Sequence, residues 1–418
     1  MWGRYSARMI QQIRRLIPLL LLIFIDSVSY FIVIPVFLQL FYDPSYGLLS
    51  ADVSNTTRNV LVGSAIALSK LAALIAAPLI GSLSDHLGRK KTLLICLASI
   101  IVGFALPILG IWQKSITLIL LGRLISGIGT ASQPIAQAAV ADLATGKRKS
   151  YFLSLIAIMM TLSIIVGPLA GGYLSDKHLV AWFSIATPYW AAFLLSIISF
   201  MLISIFFRET RSSDMRKQML SVWDVLTGLP KAIKQYRIGV LLLLFFCLEL
   251  GWSQYYQGIL LILHSNFHYT AQQIANFNAY MGVLMVLGLL ILYPLFIQFL
   301  NVKTIMTLSM SLVTIGLIAC SVFHNTASSQ WIWVSLVAIF TGSAYVSLLT
   351  LISNRVSATQ QGWAMGYTST LLFSAWVITG FASGWLVSLH MHLPLYIAAT
   401  ALILASLFLF AKPLGEHE

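Results

Sequence analysis

The 418-residue sequence predicts an all-α polytopic membrane protein of 12 transmembrane helices in two pseudo-symmetric six-helix bundles. Three observations predict it. The composition is 59% hydrophobic and only 9% charged, with a mean hydropathy of +0.90, where soluble domains carry about 25% charged residues. The apolar residues fall into a dozen runs of roughly 20 residues, the length that crosses a bilayer as a helix. The runs come as six, a polar gap, and six. Such a profile excludes most soluble enzymes and any single-pass receptor.

In chain order the first six runs lie near 16–41, 59–82, 92–112, 116–142, 151–174 and 187–207. The second six lie near 237–263, 273–299, 304–324, 331–353, 363–388 and 393–411. The N-terminal MWGRYSARMIQQIRR is basic and leads into the first run without a small-residue cleavage site, so an uncleaved span is expected rather than a signal peptide. The gap carries Arg208, Arg211, Arg216, Lys217, Lys231 and Lys234, with Arg237 at its edge, around the amphipathic LSVWDVLTGLPKAI. It reads as a linker along the membrane surface. The expected organisation is a six-helix bundle at 1–207, a cytoplasmic linker at 208–236 and a second bundle at 237–418.

The formal charge of +13 would suggest a nucleic-acid partner in a soluble protein. Here position explains it. With the N-terminus placed in the cytoplasm, twenty Lys and Arg residues fall in inner segments and three, Arg58, Lys114 and Lys177, in outer ones. The positive-inside asymmetry predicts that both termini are cytoplasmic and that no nucleic acid is bound. Two basic residues remain inside spans, Lys70 and Arg123. The three cysteines, Cys96, Cys247 and Cys320, all lie in apolar runs and imply neither a disulfide framework nor a metal motif.

An internal repeat appears at an offset of 212, with ADLATGKRKS (141–150) over SNRVSATQQG (353–362) and GPLAGGYL (167–174) over TGFASGWL (379–386). Upstream, LLLLIFID ending at Asp26 resembles LLLLFFCLE ending at Glu249, with a slip of one residue. Each half thus places one acid about 10 to 12 residues into its first helix, near the bilayer midplane at about 1.5 Å per residue.

Between the second and third runs stands GSLSDHLGRKKT (81–92). It resembles the signature loop of the major facilitator superfamily, a Gly-x-Leu-x-Asp-x-x-Gly-Arg-Lys-Lys pattern at that location. Gly81 and Gly88 permit close approach and a tight turn, while Asp85 and Arg89 can pair and interact with helix termini. The resemblance implies that Asp85 and Arg89 latch a cytoplasmic gate. An ordinary positive-inside loop would explain the basic residues but not the Asp and two glycines. In the second half PLFIQFLNVKT (294–304) lacks the Asp and Gly, so any latch is one-sided. Asp142, at the inner end of the fourth run, is expected in a gate or helix-terminal role.

RLISGIGTA from Arg123 looks like the family's Arg-x-x-x-Gly-x-Gly motif, and SIIVGPLAGG (163–172) resembles the Gly-x-x-x-Gly-Pro-x-x-Gly-Gly motif of its proton-driven antiporters, with Ser163 for the first Gly. Gly167, Gly171 and Gly172 offer a flat packing face and Pro168 a kink. These properties also suit a purely packing helix. The resemblance to exporters favours efflux. Asp26 stands nine residues before Pro35, a spacing similar to that of tetracycline-type and multidrug antiporters, although Leu38 replaces their second proline.

Charges at midplane are costly and therefore functional candidates. Asp26 and Glu249 are candidate proton carriers, with a salt-bridged structural role the alternative for each. Arg123 is the candidate partner of a carboxylate during coupling. Trp252, Ser253, Tyr256 and Gln257 follow Glu249 at i+3, i+4, i+7 and i+8, a polar and aromatic stripe suited to a cavity. Lys70 has three readings: neutralising Asp26 or Glu249, binding an anionic substrate group, or snorkelling. Tyr30, Trp252, Tyr256 and Tyr367 would suit lipophilic drugs by area and stacking.

Of the histidines, His178, His264, His268, His324, His390 and His392 fall at outer ends or loops. A cluster of His264, His268, His390 and His392 is conceivable, but no metal site is expected. There is no His-Glu-x-x-His and no Walker-type loop, so intramembrane proteolysis and nucleotide hydrolysis lack their parts. Energy must come from a gradient. The expected function is proton-coupled export of small lipophilic or drug-like molecules by alternating access, without a cofactor, by a monomer in a bacterial inner membrane. The alternatives are a transporter of an anionic metabolite or carboxylate-type siderophore, and a non-transporting sensor on the same fold.

Overall fold

The structure is a computed structural model. It describes the backbone of residues 2–143, 147–209, 238–356 and 361–411, and the side chains of 16–409 within those stretches except 82, 85, 137, 138, 141–154, 157 and 361–365. The expected linker therefore lies almost wholly outside the described residues, as do the side chains of Asp85 and Asp142.

Among the described residues the regular elements are helices, with no strand. Hydrocarbon offers no partner to a backbone N–H or C=O, and a helix satisfies both internally. The helices are α1 (Trp2–Ile32), α2 (Ile34–Tyr42), α3 (Asn55–Leu87), α4 (Arg89–Trp112), α5 (Ile116–Gly129), α6 (Ser132–Leu143), α7 (Lys147–Leu174) and α8 (Thr187–Phe206). They continue as α9 (Gly239–Ser265), α10 (Ala271–Leu287), α11 (Tyr293–Phe299), α12 (Val302–Val322), α13 (Ala327–Asn354), α14 (Gln361–Leu389) and α15 (Leu393–Ala411). Ten helical stretches are long and apolar enough to cross a membrane, and two shorter apolar helices, Ile158–Leu174 and Leu393–Leu409, complete the twelve.

Three predicted spans are interrupted, each beside a proline that removes a helical donor. The first breaks at Val33 ahead of Pro35, and the fourth breaks between α5 and α6 ahead of Pro134. The eighth contains a π-helical turn, Gly288–Leu292, immediately before Pro294. Polar caps set several helix starts. Ser54 accepts from the Thr57 amide at 3.2 Å, which begins α3 earlier than hydropathy predicts. Thr270 and Gln273 form a reciprocal capping box on α10.

By contacts the chain divides into two compact units, Met1–Val36 with Leu71–Val222, and Phe37–Lys70 with Trp223–Glu418. In the first unit α4 and α5 approach closely through small residues. A Cβ on Gly103 would strike the Ser126 backbone, one on Gly122 would strike Pro107, and one on Gly129 would strike Ile100 and the Cys96 carbonyl. In the second unit α9 is buried around its whole circumference from Gly251 to Leu263, so it is a central helix rather than a two-faced one. Arg58 is buried near the start of α3 and ties the preceding loop together. Its guanidinium donates to the carbonyls of Phe41 at 2.5 Å, Ser50 at 2.7 Å and Val53 at 3.1 Å. Large apolar side chains such as Leu194, Met201, Ile205 and Ile332 stay exposed, as expected where the bilayer is the solvent.

Candidate functional site

Among the described residues each unit holds one buried carboxylate. In the first, Asp26 on α1 is 5% exposed and accepts a hydrogen bond from Ser132 Oγ at 2.6 Å. Ser132 opens α6, so the break ahead of Pro134 presents this hydroxyl to the acid. Next to it Gln133 Nε2 donates to Ser27 Oγ at 3.2 Å. The antiporter-like segment of α7 packs on the same helix. Ser163 Oγ shares its proton between the Met159 and Phe24 carbonyls, at 2.7 and 3.1 Å. A side chain on Gly167 would meet Phe31 and one on Gly171 would strike the Ile32 carbonyl, just ahead of the break at Val33. Gly172 and Pro168 are buried in the same helix.

Arg123, 1% exposed on α5, lies with its guanidinium 5.0 Å from the centre of the Tyr30 ring. Tyr189 is the further group close enough to share its field. The Arg123 guanidinium and the Tyr30 ring form a cation–π arrangement. Tyr30 accordingly stands with Arg123 in the first unit.

In the second unit Glu249 on α9 is 4% exposed, with the Trp376 side chain of α14 near its carboxylate. The positive field at Glu249 comes from Lys70 on α3. Lys70 is half-buried, and its ammonium stands 5.6 Å from the Trp376 ring and 5.8 Å from the Phe373 ring. Trp252 and Tyr256 continue this aromatic wall, with centroids 5.9 Å from each other and Tyr256 5.6 Å from Trp376. Gln257 Nε2 donates to Thr379 Oγ1 at 2.8 Å, and Thr379 Oγ1 donates to Ser253 Oγ at 3.0 Å. The structure thus brings together Lys70, Glu249, Trp252, Ser253, Tyr256 and Gln257. Tyr367 is buried on α14, two and a half turns before Trp376 by sequence.

Phe373, Trp376 and Thr379 were missed as site residues, although the repeat carried a signal for Thr379. At the offset of 212, Thr379 and Ser383 overlie Gly167 and Gly171. The glycines pack on α1, whereas Thr379 and Ser383 hydrogen-bond to Gln257 and Gln254 of α9, the latter at 3.0 Å. One interface is dry and close; its copy is polar.

At the end of α3, Gly88 adopts φ of 94°, which favours glycine, and its amide donates to the Ser84 carbonyl at 3.1 Å. Arg89 donates to Ser84 Oγ at 2.9 Å. Glu209, unremarked in the sequence, lies beyond α8 and receives the amides of Arg89 and Lys90 at 3.0 and 3.1 Å. It therefore caps α4 with a carboxylate, as the helix dipole favours. Among the described residues no atom stands within 4 Å of a Cβ built on Gly81. The conceivable histidine cluster is also regrouped. His324 stacks on His392 with ring centres 3.8 Å apart, and His390 lies 5.7 Å from His392. His264 packs instead against Tyr42, at 4.6 Å. Among the described residues no group of three metal-type side chains is arranged to hold an ion.

The sequence profile of the Major Facilitator Superfamily matches residues 19–378. The chain is 26% identical over 359 residues to Multidrug resistance protein 2 of Bacillus subtilis (strain 168), covering 84% of this chain and 85% of that one. It is 30% identical over 165 residues to the class B tetracycline resistance protein of Escherichia coli, covering 39% of this chain and only 37% of that protein. Among solved structures it is similar to the human organic anion transporter MFSD10 (TETRAN), with a TM-score of 0.74 at 18% identity over 95% of this chain and 99% of that one. A D-xylose–proton symporter gives 0.73 at 16% identity, over 96% and 97%. At such identities the structural likeness carries the fold. These proteins are transporters and not enzymes, and with the profile spanning most of its length this multi-pass membrane protein belongs to the Major Facilitator Superfamily.

Proposed function

We propose that the chain is a proton-coupled transporter that exports small lipophilic or drug-like molecules across a bacterial inner membrane by alternating access. The observation that carries this reading is Asp26, a carboxylate buried at mid-span, joined by Ser132 Oγ at 2.6 Å and packed beside the glycine-rich α7. A buried acid binds a proton at far lower cost than it holds a charge. In the cycle Asp26, with Glu249 as second candidate, takes a proton from outside; protonation weakens substrate binding, the empty site resets, and the proton leaves inside. The two sequence repeats act as rocking halves, the 81–92 loop with Glu209 latches the inner gate, and both termini are cytoplasmic on the strength of the basic-residue asymmetry. The chain works as a monomer. The names of the tetracycline and multidrug resistance relatives support efflux. In vesicles carrying a pH gradient, Asp26→Asn and Glu249→Gln, singly and together, should abolish gradient-driven transport; coupling that survives the double variant would refute the assignment.

A second substrate class is favoured by one observation. Lys70 sets a half-buried ammonium against Phe373 and Trp376, a surrounding suited to an organic anion, and MFSD10 is described as an organic anion transporter. Lys70→Ala should abolish transport of an anion and spare a cationic drug.

A further inference from the structure

The first unit carries a groove of about 530 Å³ between α4 and α8, away from the buried acid. Ala105, Leu109 and Trp112 line it from α4, and Ala186, Trp190 and Phe193 from α8. Apart from the two indole nitrogens these walls are hydrocarbon. The two alanines leave the room, while the Trp190 and Phe193 rings stand edge to face at 5.8 Å and close one side. From Ala105 to Trp112 the groove follows α4 for about 10 Å, at 1.5 Å per residue, which fits inside one leaflet of about 15 Å. Trp112 and Trp190 stay 80% and 49% exposed at the end of the helices that the basic-residue asymmetry assigns to the outer face. Tryptophan rings favour that headgroup level.

The mouth of the groove is polar and cationic. Two amides close the end of α4 there, Gln113 donating to the Leu109 carbonyl at 2.8 Å and Lys114 to the Ile111 carbonyl at 3.3 Å. Leu109 and Ile111 both line the groove, so Lys114 is attached directly at its rim. Lys114 is exposed and adopts φ of 54°, a left-handed conformation that suits glycine or asparagine better, so the turn itself does not call for a lysine. On the α8 side the Ser184 and Thr187 hydroxyls, 3.3 Å apart, flank Ala186. In the α7–α8 loop Asp176 and Lys177 offset each other. Lys114 therefore gives the rim its net positive charge.

An apolar slot that opens on a cationic, hydroxylated rim matches an amphiphile with an anionic head. We propose that this groove binds one acyl chain of an anionic glycerophospholipid of the outer leaflet, with the phosphate paired to Lys114 and within reach of Ser184 and Thr187. A lipophilic cation would fill the slot but be repelled at the rim, and a second copy of the chain would have to bring an acid to Lys114. Binding is non-covalent. The site requires the membrane-spanning fold and the cytoplasmic N-terminus, and is independent of the transport cycle.

The test is native mass spectrometry of the full-length protein in detergent, titrated with dioleoyl phosphatidylglycerol and with dioleoylglycerol, which has the same chains and no phosphate. The wild type should bind one phosphatidylglycerol about fivefold more tightly than dioleoylglycerol, the weight of one lysine against an anionic lipid. Lys114→Gln should erase that preference and leave dioleoylglycerol binding unchanged. Ala105→Trp, on the lipid-facing surface, should fill the groove and lose both lipids. If Ala105→Trp fails to fold, Lys114→Gln decides. Equal wild-type affinities for the two lipids, or unchanged phosphatidylglycerol binding in either variant, would overturn the proposal. So would displacement of the lipid by inorganic phosphate, which would make the rim an ion site only. Tighter binding of tetraphenylphosphonium, lost in Ala105→Trp, would give the groove to a drug, and a dimer lost in Ala105→Trp would give it to a second copy. Lipid binding as described in a protein that moves no substrate would remove the exporter and leave this site standing.

Discussion

Ser132 Oγ donates to Asp26 Oδ2 at 2.6 Å across the helix break between α5 and α6. A hydrogen bond to a charged group is worth about 1.5–3 kcal/mol, so this serine holds the carboxylate in one orientation. Ser132→Ala should retain proton coupling but slow exchange by on the order of tenfold, whereas Asp26→Asn should abolish it. The check is the rate of pH-gradient dissipation on adding substrate to proteoliposomes. Equal losses in both variants would show that the hydroxyl is itself indispensable to proton transfer.

Glu209 binds the first two amides of α4, and its carboxylate occupies the space where a Cβ on Gly88 would stand. Gly88→Ala should combine an unfavourable φ with displacement of Glu209 and strongly reduce transport at normal membrane insertion. Glu209→Ala should lower stability by about 1 kcal/mol, the usual worth of a cap. Transport assays and detergent melting curves read the two effects separately.

In the second unit a Cβ on Gly63 would strike the Gly380 carbonyl, and one on Gly384 would strike the Asn59 carbonyl. The adjoining Asn59 accepts from Tyr42 and donates to Ser388 at 3.2 Å. Gly63→Val should therefore force α3 and α14 apart and cost about 1–3 kcal/mol, the usual range for overpacking. A melting temperature equal to wild type would show that this packing yields without cost.

His392 packs against His324 and His390, and burial, with the two neighbouring imidazoles, lowers its pKa from 6.5 to about 4. Between those values the unfolded chain holds the proton and the folded one does not, so stability rises with pH. It is present in full above about 6.5 and is lost as pH falls toward 4. Melting of the wild type should thus drop between pH 7 and 5 more steeply than that of His392→Gln, with partial exposure limiting the size of the effect. Parallel curves would remove this role from the histidine.

Much of this was legible because hydropathy and charge act locally. The runs of apolar residues mark spans without knowledge of their neighbours, and Pro35, Pro134 and Pro294 mark where spans break, although those breaks were not anticipated. The resemblance at 81–92 identified Gly88 and Arg89, but it could not reveal Glu209, which lies some 120 positions along the chain and meets them only through folding. The stripe after Glu249 was read as one polar face. The structure shows a helix buried on all sides from Gly251 to Leu263, with Ser253, Gln254 and the Gln257 amide nitrogen hydrogen-bonded to Thr379 and Ser383 of α14.

The sequence by itself determined the twelve spans, the repeat and the two mid-span acids, because a bilayer admits only helices of a certain length and makes each buried charge conspicuous. Tertiary structure decided which groups those charges meet. Asp26 is joined to Ser132, Arg123 lies against Tyr30, and Lys70 lies over the Trp376 ring. Such pairings depend on helix rotation and packing depth, which hydropathy does not encode. Only packing could show that Lys70 shares one unit with Glu249, the acid its charge complements.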